Sequence, residues 1–327
     1  MGERAGSAEP LVVGVDVGGS NVRAALFRGL RMHGQVVARP TPAGGSRVLD
    51  EVIAVVEAVS EAAGPERPHI AAVGAGFPGI FDPLRGVSLL AGNLPDWPGG
   101  PVRDVLEQRL RLPVAVDNDV RAGGYGEVHA GVAVGAGSVV YVSVGTGVGG
   151  AVFLDGKPYL GATFAAGEVG HVVLDPSAAA YRCRCGQVGD AEALVSGYAI
   201  ERAAWRAAGR AIRATDALTA GRDGAEGLKN LYGTVARYLA LLFANIATAF
   251  NPELIVVGGG LGTHPSYPVE EACALVRQGA VPQWIADRVR VKRARLGQWS
   301  GLVGAAVLAL EKAGYKLTPM PETEGLG

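Results

Sequence analysis

One pattern occurs twice in this chain, and it limits the folds open to it. Leu11 to Asp16 is a short, valine-rich apolar run, Gly18 and Gly19 break it, and Val22 to Phe27 is apolar again. Ser138 to Val144 repeats the β-branched run, Gly145, Gly147, Gly149 and Gly150 break it, and Ala151 to Leu154 returns. Apolar runs of this length bounded by glycine read as buried strands. Each copy is therefore a strand, a glycine turn and a return strand. The copies start about 130 residues apart, as an internal duplication would place them. Glycine is abundant throughout, 50 of 327 residues, about twice average usage. It shows no Gly-X-Y period, which excludes collagen, and it clusters after apolar runs, where a backbone turns tightly or approaches a ligand.

Between and after the two hairpins, strands and helices alternate. Ile70 to Gly76, Pro113 to Val116 and Leu254 to Val257 read as strands. Val48 to Ala63, Val102 to Leu110, Ala191 to Ala208, Gly227 to Phe250, Val269 to Gln278 and Gly301 to Ala313 read as helices. Gly92 to Pro101 reads as a loop, and the residues from Leu317 as a loose tail. That alternation is α/β, and the length suits about two domains. Hydrophobic residues are 49% and charged residues 19%, which excludes a disordered chain. Lys plus Arg is 30 against 31 for Asp plus Glu, so no basic excess marks a nucleic-acid partner. Three cysteines, Cys183, Cys185 and Cys273, make no disulfide framework and suit a reducing compartment. No uninterrupted apolar run reaches the ~18 residues of a membrane helix, and no signal-peptide core follows the polar first ten residues. The expectation is a soluble, cytoplasmic protein with no nucleic-acid or membrane partner.

Three glycine clusters could meet a nucleotide. In Asp16-Val17-Gly18-Gly19-Ser20, glycine amides can donate to phosphate oxygens and the carboxylate can hold a hydrated Mg²⁺; a plain hairpin turn explains the same residues. Gly145-Thr146-Gly147-Val148-Gly149-Gly150 looks like a dinucleotide fingerprint, but a strand follows where that fingerprint needs a helix. No Walker A loop is present. Gly258-Gly259-Gly260 follows a buried strand and could pass close under a nucleotide. Asp117-Asn118-Asp119 also ends a strand; it could cap a helix or supply a general base. Arg182 and Arg184 read as solvated charges.

Three glycine turns, two of them hairpins, resemble the two-lobed actin-like ATPase and sugar-kinase fold, in which duplicated ribonuclease H-like halves grip ATP. More narrowly, Glu168-Val169-Gly170-His171 followed by Cys183-Arg184-Cys185-Gly186-Gln187-Val188-Gly189-Asp190-Ala191-Glu192 resembles the ROK family (repressor, open reading frame, kinase). The family pattern there is Glu-x-Gly-His, then Cys-x-Cys-Gly-x-x-Gly-Cys-x-Glu, and the likeness runs from about Leu11 to Leu310. The resemblance implies one lobe over 11–118, joined by the helix 301–313, and a second over 119–300. It implies ATP-dependent phosphorylation of a hexose, glucose at O6 first. Fructose, mannose, N-acetylglucosamine and N-acetylmannosamine are alternatives, as is a non-catalytic sugar-sensing regulator. Regulators carry a DNA-binding module before the first glycine turn, and 15 residues precede Asp16.

By the same resemblance Asp119 is the general base, and Asn118 binds the sugar with Asn93, Glu168, His171 and Glu192. Asp117 has no implied role. Asp16 would position Mg²⁺, while Gly18, Gly19, Ser20, Gly145, Thr146 and Gly147 cradle phosphates and Gly258, Gly259 and Gly260 line the nucleotide. Family members hold a structural zinc with the His and three Cys. This chain offers His171, Cys183 and Cys185, with Asp190 at the third Cys position. Zinc accepts an Asp oxygen, so the set can hold the ion; the alternatives are free thiols, or an Asp190 that caps the helix starting near Ala191. Family members are homodimers or homotetramers, and that is the expectation here.

Overall fold

The computed structural model describes residues 9–90, 96–177, 181–280 and 282–317. They form two compact units. One holds the described residues up to Ala130 together with those from Trp299; the other is Gly131–Gln298.

In the first unit, β1 (Leu11–Val17), β2 (Asn21–Arg28) and β3 (Arg31–Pro40) form a meander, followed by α1 (Val48–Ala62) and β4 (Ile70–Phe77). A short hairpin, β5 (Ile80–Asp82) and β6 (Val87–Leu90), leads to α2 (Val102–Leu110), β7 (Val114–Asn118) and α3 (Asp119–Ala130). The sheet order is β3-β2-β1-β4-β7. β1 is antiparallel to β2 and parallel to β4, and β4 is parallel to β7. All seven residues of β1 are buried, as its unalternating apolar run requires of a strand covered on both faces. One cover is α1, whose Val48, Val52, Val55, Val56 and Val59 share a helical stripe and join the core. Each fully buried valine is worth about 1.5–3 kcal/mol. The other cover is the C-terminal helix, Ser300–Lys312. It lies so close that a Cβ at Gly74 would sit 1.9 Å from the Ala305 carbonyl oxygen. At Gly304 a Cβ would sit 1.5 Å from the Ala122 carbonyl oxygen. Here glycine serves backbone-to-backbone packing rather than a turn.

The second unit opens with β8 (Ser138–Val144), β9 (Val148–Leu154) and β10 (Lys157–Pro158). Helices α4 (Ala191–Val195), α5 (Gly197–Ala208), α6 (Ala214–Arg222) and α7 (Leu228–Phe250) precede β11 (Leu254–Gly258). Helices α8 (Val269–Leu275) and α9 (Gln283–Ala286) precede β12 (Val291–Arg293). The sheet order is β10-β9-β8-β11-β12, with β8 antiparallel to β9 and parallel to β11, and β11 parallel to β12. Strand for strand this repeats the first sheet. The core gathers Val235, Leu239, Leu242, Phe243 and Ile246 of α7 against Val140, Val142, Ile255 and Val257. Among the described residues α7 is long and apolar enough to cross a bilayer, and half of that stretch is buried inside the unit.

Several expected boundaries shift. The single helix over 191–208 is two helices, because extended Ser196 ends α4 and caps α5, its Oγ accepting the Ala199 N–H at 3.1 Å. Gly149 and Gly150 belong to β9 and not to the turn. The helix expected over 269–278 is α-helical only to Leu275 and widens into a π-type turn over Val276–Ala280. Residues Asp119–Ala130, which the expected boundary put in the second lobe, form α3 in the first unit, where Gly304 lets the C-terminal helix rest against it.

Candidate functional site

The carboxyl ends of the parallel strands of the first sheet gather its candidate residues. Asp16 pairs in register with Gly76, and Gly76 with Asp117, so Asp16 and Asp117 stand two strands apart at the same level, roughly 10 Å by sheet spacing. In open α/β sheets ligands bind outside this end. Gly18, Gly19 and Ser20 make the β1–β2 turn, closed by the Gly18 N–H on the Asn21 carbonyl at 2.9 Å. Gly19 and Ser20 are exposed. Asp16 is 8% exposed, and its Oδ2 accepts from Arg23 Nη2 at 2.5 Å. Arg23 was not singled out in the sequence; its place opposite Asp16 in the hairpin register is the signal.

Asn118 ends β7 and Asp119 begins α3. The segment caps a helix: Asn118 caps α3, its Oδ1 accepting the Arg121 N–H at 2.9 Å. Its Nδ2 donates to the Gly79 carbonyl at 2.8 Å and to Asp119 Oδ1 at 3.0 Å. That same Oδ1 accepts the Val120 N–H at 2.9 Å. Asp119 is half-buried, with its carboxylate oriented by two donors. Beneath it, Asp117 and Arg121 form an ion pair at 2.5 Å with side chains 2% and 4% exposed. Burial pushes the Asp117 carboxyl up, against the pull of Arg121 and the Asn118 N–H. Asn93 lies outside the described residues.

In the second unit, Gly145, Thr146 and Gly147 turn from β8 to β9, with the Gly145 N–H on the Gly147 carbonyl at 2.9 Å. Gly258 ends β11, which runs parallel beside β8, so the Gly258-Gly259-Gly260 bend adjoins that turn. The Leu261 and Gly262 N–H groups both donate to the Val144 carbonyl at 3.0 Å. Gly259 has φ +79°, and a Cβ there would lie 2.3 Å from the Val144 carbonyl oxygen; only glycine fits. Glu192 is tied to this turn. Its Oε2 accepts the Val148 N–H at 3.0 Å and its Oε1 accepts from Cys183 Sγ at 3.4 Å. Glu168 is half-buried at the start of a helical turn in which the His171 N–H meets its carbonyl at 3.1 Å. Gly170 in that turn passes under β9, where a Cβ would be 2.0 Å from the Val148 carbonyl oxygen. This contact explains the glycine of Glu-x-Gly-His.

His171, Cys183, Cys185 and Asp190 converge, with one donor atom from each lying within 4.8 Å of all the others. His171 Nδ1 is 3.0 Å from Asp190 Oδ2, 3.9 Å from Cys183 Sγ and 3.7 Å from Cys185 Sγ. Asp190 Oδ1 meanwhile accepts the Ala193 N–H at 2.8 Å and caps α4. The cap and the ligand set, alternatives in the sequence, use different oxygens of one carboxylate. Arg184 is exposed but not merely solvated: its guanidinium lies 4.8 Å over the Tyr198 ring. Arg202 of α5, unread in the sequence, donates to the Arg182 and Ala193 carbonyls at 3.4 Å each. It also lies over the Tyr181 and Tyr198 rings at 5.6 and 5.4 Å. It thus ties both ends of the cysteine loop to α5.

A model of the ROK family matches residues 12–312. A ROK hexokinase structure from Thermus thermophilus is 34% identical, with TM-score 0.78, covering 93% of this chain and 99% of that one. A ROK family glucokinase from Streptomyces griseus, solved with glucose and AMPPNP, is 30% identical, with TM-score 0.80 and coverages of 92% and 99%. An N-acetyl-D-glucosamine kinase from Salmonella newport is 32% identical over 91% of this chain and 98% of its own length.

Proposed function

The chain belongs to the ROK family, and from that premise we propose that it transfers the γ-phosphoryl group of ATP to a hexose, first of all to O6 of glucose, with Asp119 as general base. It is an ATP-dependent sugar kinase. The observation that carries the assignment of the base is the oriented Asp119 carboxylate at the carboxyl end of the first sheet. A sugar hydroxyl holds its proton far above neutral pH, so a fixed carboxylate against it accepts the proton as the new P–O bond forms. The amides of the Gly18–Ser20 and Gly145–Gly147 turns suit phosphate oxygens, and Gly258–Gly260 the nucleotide. Glu168 and His171 offer acceptors to a substrate rich in hydroxyl donors.

Asp16 offers one hard oxygen and would hold Mg²⁺ through its water shell; when bound, the ion offsets charge on the transferring phosphoryl group. His171, Cys183, Cys185 and Asp190 fit zinc. Zinc–ligand bonds of about 2.0–2.3 Å in a tetrahedron require donors about 3.3–3.8 Å apart; the three separations from His171 Nδ1 and that between Cys185 Sγ and Asp190 Oδ2 run from 3.0 to 3.9 Å. The ion would be structural, since all four positions are filled by protein. Free cysteines also suit a cytoplasmic location, and a homodimer or homotetramer is expected.

A coupled ADP-release assay across glucose, mannose, fructose, N-acetylglucosamine and N-acetylmannosamine identifies the sugar. The similarity to an N-acetylglucosamine kinase makes that sugar the second reading, favoured if its kcat/KM exceeds that of glucose. Asp119→Asn keeps size and removes the proton acceptor, so kcat should fall ~10²–10⁴-fold with little change in sugar binding. A variant within threefold of the parent kcat would remove Asp119 from the role.

A further inference from the structure

We propose that Asp117 and Arg121 are positioning residues for Asp119, acting as a buried strut under the Asn118-Asp119 junction. The inference rests on the reading of Asp119 as the base. Arg121 Nε donates to Asp117 Oδ1 at 2.6 Å, and Nη2 of the same guanidinium donates to the Phe81 carbonyl of β5 at 3.1 Å. Asp117 Oδ1 in turn accepts the Asn118 N–H at 2.7 Å. The chain of contacts runs from β5 through Arg121 and Asp117 to the backbone of Asn118. From there the Asn118 amide reaches Asp119 Oδ1. Arg121 enters a second time, because its own N–H is the one that Asn118 Oδ1 caps. The two residues therefore fix both backbone and side chain of Asn118, and Asn118 fixes the carboxylate.

Buried charges cost several kcal/mol to desolvate, and an apolar pair often serves stability as well. A pair held here, two residues to either side of the reacting carboxylate, is better explained by geometry than by stability. Its own charges also cancel, so the pair itself adds no net charge beside Asp119. Lysine cannot replace Arg121: a point-charge ammonium cannot serve Asp117 and the Phe81 carbonyl with a planar fork. Misplacement of a catalytic group by about 1 Å can cost ~100-fold in rate.

The test is a kinetic cycle on the full chain, using Arg121→Lys, Asp119→Asn and the double variant, with kcat scaled to folded protein by near-ultraviolet circular dichroism. Arg121→Lys should lower kcat ~10- to 100-fold while both KM values stay within threefold. In the Asp119→Asn background the same change should cost less than twofold, because the strut acts only through that carboxylate. Asp117→Asn combined with Arg121→Gln restores a neutral hydrogen-bonded pair and should recover most of the loss seen in Arg121→Gln alone. A kcat for Arg121→Lys within twofold of the parent overturns the proposal. So does a full loss that persists on top of Asp119→Asn, which would mark a merely structural pair. If Arg121→Gln alone does not fold, the lysine arm and its cycle still decide. Failure of the base reading shows separately, as an Asp119→Asn enzyme that keeps its kcat.

Discussion

The carboxylate of Asp190 divides its contacts, Oδ1 capping α4 through the Ala193 N–H and Oδ2 facing His171 Nδ1. Three substitutions separate the two roles. Asp190→Asn keeps a capping oxygen and loses the anion; Asp190→Ala loses both. In chelated protein, where zinc contributes nothing, the alanine variant should be less stable to urea than the asparagine variant by about 1 kcal/mol. Equal chelated stabilities would deny the cap. Asp190→Cys restores a third thiolate, so it should hold zinc more tightly than the parent in competition with a chromogenic chelator. Glu168 is a simpler case. It stands in the turn packed against β9, and its motif spacing sets it apart from the glycine bends. Glu168→Gln should raise the sugar KM severalfold more than the ATP KM; an equal rise in both would assign it elsewhere. That His171, Cys183, Cys185 and Asp190 come together was legible because histidine and cysteine are scarce types and stand here at fixed spacing. Arg121 was not, since an arginine four residues after an aspartate is usually a solvated charge, and only its burial beside Asp117 at the end of β7 shows otherwise.

At the scale of elements, what the sequence hid is what packing decides. α3 carries Gly123, Gly124 and Gly126, each costing about 1 kcal/mol of helix propensity relative to alanine, so the sequence offered a cap at Asp117-Asn118-Asp119 but no strong helical run after it. It forms because its small residues let the C-terminal helix lie against it, with Gly304 under the Ala122 carbonyl. Conversely, Ala191 to Ala208 has helical spacing throughout, and only Ser196, better used as a cap than as an interior residue, divides it. The close approach makes a prediction. Gly304→Ala has no room for its methyl group and should destabilise by at least about 1–3 kcal/mol, seen as a lower urea midpoint at unchanged m-value. Gly233→Ala, inside α7 with nothing within 4 Å of the added carbon, should instead stabilise by up to about 1 kcal/mol. If both behave alike, helix propensity governs Gly304 and the packing account is wrong.

Across the whole molecule, the twice-used hairpin was the most legible feature, and it extends to complete sheets: β3-β2-β1-β4-β7 in one unit, β10-β9-β8-β11-β12 in the other. The duplication shows in sequence because a strand buried on both faces must be apolar throughout and the glycines mark where each run ends. The outer strands β3 and β12 escaped notice because their residues are largely half-buried or exposed and carry no such run. Each unit also has its own hydrophobic core, and all four candidate zinc ligands belong to the second. An ion that binds only the folded state stabilises whatever unfolds with its ligands, and separate cores allow separate opening. Removing zinc with a strong chelator should therefore raise amide hydrogen exchange first in 181–193 and along α4 and α5, where Arg202 and Asp190 anchor the loop. β1, β4, β7 and the C-terminal helix should keep their protection. Exchange measured peptide by peptide, with and without chelator, checks this. Equal loss of protection in both sheets would mean that the molecule opens as one cooperative body, and no change anywhere would mean that the cluster holds no structural metal.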